Sequence, residues 1–297
     1  TPNLNEDEEE MIQTAAQGVI TGILMGTIYA LIALGLSIVF GIMNVTNFAH
    51  GDFVMLSMYL SYVVGTALAW DAVVTPLITA PLLFVFGLVT YYLLLDRTLR
   101  QMYVVQLAIT VGLQILLRSL ALIVWQAQPR ALQYSFIQGH ITVGGFDILT
   151  SRLFAAVVSI LFIGGIAYFM NKTWAGKAMR AASDDFDTAS LMGVNYHRTY
   201  GLTFAIGSSI TALAGGLMMS FQQTTPNGGI RFGLLSWCII ALAGLGSLPG
   251  LVVAGIIVGI VESLTLSFFD PRAELLGVYA IFILVLWLRP RGLFGRR

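Results

Sequence analysis

Four polar side chains crowd into a short stretch of an otherwise apolar chain: Asn44, Asn47, His50 and Asp52 in GIMNVTNFAHGDFVMLSMYL, residues 41–60. A second set, Gln106, Thr110, Gln114 and Arg118, recurs every four positions, which lines it up along one face of a helix. A lone carboxylate, Glu262, lies in the middle of the apolar run 251–268. An imidazole near a carboxylate could hold a metal or move protons. No Cys or second His lies near His50, which argues against a metal site. No Ser or Cys nucleophile is paired with a His in a recognisable pattern, so hydrolysis is rejected. What remains is chemistry at a helix break. Asp52 is placed to cap a helix starting near Phe53, and Asn47 to satisfy backbone groups left free by the break. This predicts a broken helix whose polar end lies against a transport path or the cytoplasmic mouth of one.

Two of these groups allow more than one reading. A charge in hydrocarbon is costly, so Arg118 either faces the bundle interior or water, or snorkels to the outer interface from its place seven residues before the end of its span. Glu262 must be paired, protonated or in a wet cavity. Arg118 is one candidate partner for it, and a proton-coupling role is the sharper alternative.

The elements that position these groups follow from composition. The 297 residues are 57% hydrophobic and 10% charged, and the net charge is zero. The mean hydropathy is +0.85. A soluble domain carries about 25% charged residues, so bilayer is the solvent that suits this chain, and nothing points to a nucleic-acid partner. Cys238, the one cysteine, reads as a small buried apolar residue. The opening TPNLNEDEEE lacks the basic-then-apolar order of a signal peptide and reads as an acidic, solvent-exposed arm over 1–16.

A membrane-crossing helix needs about 20 apolar residues. Candidates are 17–40, 52–70, 73–95, 103–125, 151–170, 199–221, 234–247 with 251–268, and 275–289. The breaks between them carry charge or turn chemistry, as in DRTLRQ, QAQPRALQY, PNGG and FDPRAE. The fold class is therefore all-α: one polytopic transmembrane helix bundle over 17–297 with broken or re-entrant helices. The stretch GLGSLPG, 244–250, divides 234–268 into two arms, each short of a comfortable span, and a broken pair inside the bundle is preferred to a re-entrant hairpin. Glycines four apart, Gly22 with Gly26, Gly246 with Gly250 and Gly255 with Gly259, suggest close helix packing.

Basic residues set the orientation. Arg97 and Arg100, then Lys172, Lys177, Arg180 and Arg198, then Arg289, Arg291, Arg296 and Arg297 mark the cytoplasmic side. That places 171–198 and the C-terminus inside, and 126–150 and 222–233 outside. Within the long inner segment, Met179, Ala182, Phe186, Ala189, Leu191 and Met192 form one apolar side of a short helix and Asp184, Asp185 and Asp187 the other, with Gly193 as its stop.

The phrase DTASLMG in that segment resembles the EAA loop of ABC importer permeases. Four stretches in order resemble the branched-chain amino acid permeases of the LivH type: ALGLSIVFGIMNVTNFAHGDFVML, RAASDDFDTASLMGVN with LTFAIGSSITALAGG, ALAGLGSLPGLVVAGIIVGIVESL, and LRPRGLFG. Asp52 stands where Glu is common. The resemblance implies a permease subunit, not an enzyme, working with a second, LivM-type permease, two ABC ATPases and a periplasmic binding protein. It implies that Phe186, Asp187, Ala189, Met192 and Gly193 belong to a coupling helix seated in the ATPase. The chain has no GxxxxGK[ST]; Gly176-Lys177 is followed by Ala. ATP-Mg is thus expected on the partner ATPases and no cofactor on this chain. Branched-chain or other hydrophobic amino acids are the implied cargo, with urea, amides or aromatic acids as the alternative. A stand-alone channel or ion-coupled transporter is the competing class.

Overall fold

The computed structural model describes residues 4–99, 101–132, 137, 139–244, 246–269 and 273–295, without the side chains of 4–9, 143, 186 and 187. Residues 1–3 of the arm, 133–136 and 138, 270–272, and Leu245 of GLGSLPG lie outside the described residues, as do Arg100, Arg296, Arg297 and the side chains of Phe186 and Asp187.

Two helices, α1 (Leu4–Met43) and α10 (Leu248–Phe268), pack along each other over much of their length. Glycine makes this possible. A Cβ on Gly26 would lie 2.5 Å from Ile256 Cα, and one on Gly22 would lie 2.5 Å from Ile260 Cα, so any side chain there would drive the backbones apart. Gly255 and Gly259 present the matching faces of α10. The small-residue spacing read from the sequence is thus a direct helix–helix contact at these two pairs. Gly246 is different: it sits outside a helix with φ +82, and a Cβ there would meet nothing.

Between α1 and α10 the chain forms α2 (His50–Leu68), α3 (Pro76–Thr90) with a π-helical continuation (Tyr91–Leu95), α4 (Tyr103–Trp125), a hairpin of β1 (His140–Val143) and β2 (Phe146–Leu149), α5 (Thr150–Lys172), α6 (Trp174–Asp184), α7 (Phe186–Leu191), α8 (Tyr196–Met218) and α9 (Gly228–Ala243). The chain ends with α11 (Glu274–Leu288). Among the described residues, seven helices are long and apolar enough to cross a bilayer: α1, α2, α3 with its continuation, α4, α5, α8 and α10. Helices α1 and α8 are mostly buried in the bundle, whereas α4 and α5 turn most of their surface outward. Their exposed faces are oily, with Ile115, Ile123, Leu161 and Phe162 among them, as a lipid-facing surface requires.

Several expectations need correction. Helix α1 begins at Leu4, so the acidic arm is helical and runs on into the first span, with residues 10–13 exposed; Glu, Gln, Ala and Met favour helix and no Gly or Pro interrupts before Gly18. The all-α class holds, with one addition that was not expected: β1 and β2 pair antiparallel through the two-residue turn Gly144-Gly145, with φ +61 and +88. The 234–268 pair is unequal: α10, at 21 residues, is long enough to cross, while α9 has 16. The helix expected over 180–193 is two helices. Asp185 breaks it and caps α7, its carboxylate accepting from Thr188 N at 3.1 Å.

Two ends of the bundle are distinct. At one, Ser183 Oγ donates to Gly41 O (2.7 Å), the Asp96 carboxylate meets His197 Nδ1 (2.5 Å), and Leu293 N and Phe294 N donate to Leu242 O and Ala243 O. The described basic clusters gather here. At the other end, Gln17 of α1 holds the hairpin through Asp147 O and Asp147 N, and Arg130 bridges to Thr224.

Candidate functional site

The chain leaves α1 at Met43 and re-enters helix only at His50. Asn44 stops α1 by taking φ +52, a left-handed conformation that Asn tolerates better than most residues, and its side chain is exposed. The six residues of the break then run back alongside α1. His50 Nε2 donates to Ile32 O at 2.9 Å, which places the start of α2 two to three turns up from the end of α1. Helix α2 therefore begins deep in the bundle.

A backbone break at that depth leaves polar groups that hydrocarbon cannot satisfy. The stripe on α4 meets several of them. Tyr103 Oη meets Thr46 Oγ1 (2.7 Å), Thr110 Oγ1 donates to Thr46 O (3.1 Å), Gln114 Nε2 donates to Phe48 O (3.1 Å), and Arg118 Nε donates to Asp52 Oδ1 (2.7 Å). Each step up α4 meets the next part of the break. Asn47 contributes from within, its Oδ1 accepting from Ala49 N at 3.1 Å. Gln106 serves a neighbouring turn, donating to Thr98 O and Leu99 O.

The expected roles divide accordingly. Asn47 does satisfy the broken backbone, and Gln106, Gln114 and Arg118 do face protein. Asp52 is not a helix cap: α2 starts at His50 with Ala49 as its cap residue, and the Asp52 side chain turns sideways to Arg118. Arg118 is not the partner of Glu262, nor does it snorkel; its Nη2 also reaches Asp52 Oδ2, a forked ion pair with the carboxylate fully buried.

Asp52 also faces α9. Gly229 and Gly233 of α9 pack against Gly51 so tightly that a Cβ on Gly51 would collide with Gly229 O, and a Cβ on Gly229 would lie 2.7 Å from Asp52 Oδ1. The first turns of α2 and α9 thus meet inside the bundle with an Asp between them. The positive end of a helix dipole favours such a carboxylate. Discontinuous helices that start at mid-depth are a recurrent way of building transport sites.

Glu262 belongs to a second polar cluster. Arg231, in the second turn of α9, donates from Nη2 to Glu262 Oε1 (2.8 Å) and to Tyr29 Oη (3.2 Å), and also pairs with Glu274 at the start of α11. Sequence reading missed Arg231 because it treated 222–233 as an outer loop. The glycine pair Gly228-Gly229 just before it, followed by FGLLSWCIIALA, was the available signal for an earlier helix start.

At the basic end, Met179, Ala182 and Ala189 are buried against the chain itself, while Leu191 and Met192 are 88% and 82% exposed. The expected apolar residues whose side chains are described therefore do not form one buried face. Gly193, at φ +89, ends the segment as its residue type predicts.

A broken-helix membrane bundle of this kind, with its polar groups gathered at the breaks, has the make-up of a permease. The chain matches the family model for the permease component of the branched-chain amino acid transport system over residues 18–286, and it belongs to that family. It is 30% identical to the high-affinity branched-chain amino acid transport system permease protein LivH of Escherichia coli, with 94% of this chain and 95% of that protein covered. It is 27% identical to the corresponding permease protein BraD of Pseudomonas aeruginosa, with the same coverage. It is 26% identical to a probable LivH permease of Methanocaldococcus jannaschii, over 82% of this chain and 78% of that one. No solved structure matches the chain. It is a multi-pass membrane protein and a transport component.

Proposed function

We propose that this chain is one permease subunit of an ATP-driven importer that carries branched-chain or other hydrophobic amino acids across the inner membrane. The observation that carries the reading is the meeting of the α2 and α9 starts at Asp52, clasped by α4, in a member of a permease family. The names of the full-length relatives support the amino-acid cargo. The basic end lies in the cytoplasm and the hairpin end in the periplasm, because Lys and Arg concentrate on the cytoplasmic side.

The partners follow from what the chain presents. Leu191 and Met192, exposed at the cytoplasmic end, and Gly193, which turns the chain back toward α8, offer a short rigid projection for an ABC ATPase that holds ATP-Mg. Two such ATPases, a second permease of the LivM type and a periplasmic binding protein complete the machine. Burial of apolar area stabilises such a contact by roughly 25 cal/mol per Å².

The test is uptake by proteoliposomes holding the complete complex, with binding protein added outside. Labelled leucine, isoleucine and valine accumulate, and each suppresses uptake of the others. Accumulation of urea or an amide with no uptake of these amino acids would reject the cargo.

A further inference from the structure

Near the hairpin end, α1, α5, α9, α10 and α11, with the segment after α8, line an open cavity of about 210 Å³. Among the described residues its charged side chains are two arginines and two carboxylates: Arg152, Arg231, Glu262 and Glu274. They are not arranged as two pairs. Arg231 takes both carboxyl groups, so that group holds one more acidic side chain than basic ones. Arg152 is in no ion pair among the described residues. Its Nε is buried without a hydrogen-bond partner there, and its guanidinium lies over the Phe221 ring at 5.5 Å. Its acidic and basic side chains are equal in number but unevenly placed, with Arg152, in no ion pair among the described residues, at one pole and the extra carboxyl group at the other. Its apolar walls are Met25, Phe221 and Leu266.

A buried charge without a partner is costly. A ligand that brings an anion to Arg152 and a cation to the two carboxylates offsets that cost at both poles at once. A zwitterion does this without changing the net charge of the site. The volume is below the 300–1,000 Å³ of drug-sized pockets, which suits a small molecule. Access is also visible: Arg152 and Thr21 line a second cavity of about 370 Å³, beside the hairpin residues His140, Asp147 and Leu149.

We propose that this cavity is the outward-facing acceptor site for a small zwitterionic amino acid, with Arg152 receiving the α-carboxylate, Glu262 and Glu274 receiving the α-ammonium, and Met25, Phe221 and Leu266 contacting an aliphatic side chain. The proposal rests on the amino-acid import proposed above and gives it a site on this subunit.

The experiment measures equilibrium binding of labelled leucine to the membrane complex in nanodiscs, without the binding protein, alongside uptake by the same complex with it. Competitors are unlabelled leucine, 3-methylbutylamine, which lacks the carboxylate, and 4-methylpentanoate, which lacks the ammonium. Leucine competes, and each single-charge analogue is weaker by at least about tenfold, the scale of a lost hydrogen bond to a charged group. Arg152→Gln and Glu274→Gln each weaken leucine binding by a similar factor. Arg152→Lys, which keeps the charge but loses the fork, falls between wild type and Arg152→Gln and carries the test if Arg152→Gln does not assemble. Assembled Arg152 and Glu274 variants that bind leucine as wild type does, or analogues that compete as well as leucine, overturn the site. So does a wild-type complex that takes up leucine yet binds none in nanodiscs, and that result leaves the import reading standing. A complex that takes up no amino acid at all overturns both.

Discussion

Arg118 of α4 and Asp52 of α2, 66 residues apart in sequence, form a forked ion pair with Nε–Oδ1 at 2.7 Å and Nη2–Oδ2 at 3.2 Å. It closes a ladder of contacts from α4 to the break between α1 and α2, below which Gln114 and Thr110 hold the carbonyls of Phe48 and Thr46. These contacts satisfy part of the broken backbone at depth and tie the start of α2 to α4.

Arg118→Leu leaves the buried carboxylate alone. Removing one partner of a buried pair costs about 3–5 kcal/mol. The variant is expected to lose most of its folded yield or to lose transport. Arg118→Leu with Asp52→Leu removes both charges and recovers much of the loss. A thermal-unfolding double-mutant cycle in detergent measures the coupling. Additive effects of the two substitutions would show that the pair does not act as a unit.

Gly26→Val places a side chain against the α10 backbone at a distance no real Cβ adopts. Overpacking costs about 1–3 kcal/mol. The melting temperature should fall, whereas Gly41→Ala, at a position with open space, should leave it unchanged apart from helix propensity. Equal effects of the two would mean that α1 and α10 do not pack at Gly26.

Leu191→Asp and Met192→Asp place charges on side chains that touch little of their own chain. Insertion and melting behaviour should match wild type, while ATPase captured with the permease falls by at least about tenfold, as burying an unpaired charge requires. Retention of the ATPase at wild-type level together with normal uptake would show that this segment is only a surface loop.

Orientation is tested by cysteine labelling in a Cys238→Ala background. A cysteine at Gly139 should react with an impermeant reagent added outside cells, and one at Asp185 only after permeabilisation. The reverse pattern inverts the assigned topology.

Much of this molecule was legible in sequence. Span edges were close, and 103–125 coincides with α4, because a bilayer demands a long apolar run and the intervening charge marks its ends. The stripe on α4 was legible because a four-residue recurrence has one meaning on a helix. Its partner was not. Pairing Arg118 with Glu262 or with Asp52 depends on depth, and a run of hydropathy does not say that the chain doubles back between Met43 and His50. Arg231 was lost for a related reason: an arginine lowers local hydropathy whether it is in a loop or buried against Tyr29 and Glu262. The hairpin was overlooked although Gly144-Gly145 between alternating residues is a strong turn signal, because the segment between spans was read only for length and charge.

We propose that this chain provides a path but not the driving force. The most direct measurement compares leucine accumulation in proteoliposomes containing this chain alone with accumulation in proteoliposomes containing the full complex, each with and without ATP on the ATPase side. Accumulation is expected only in the full complex and only with ATP. Accumulation by the chain alone, without ATP, would contradict it and identify a self-sufficient transporter.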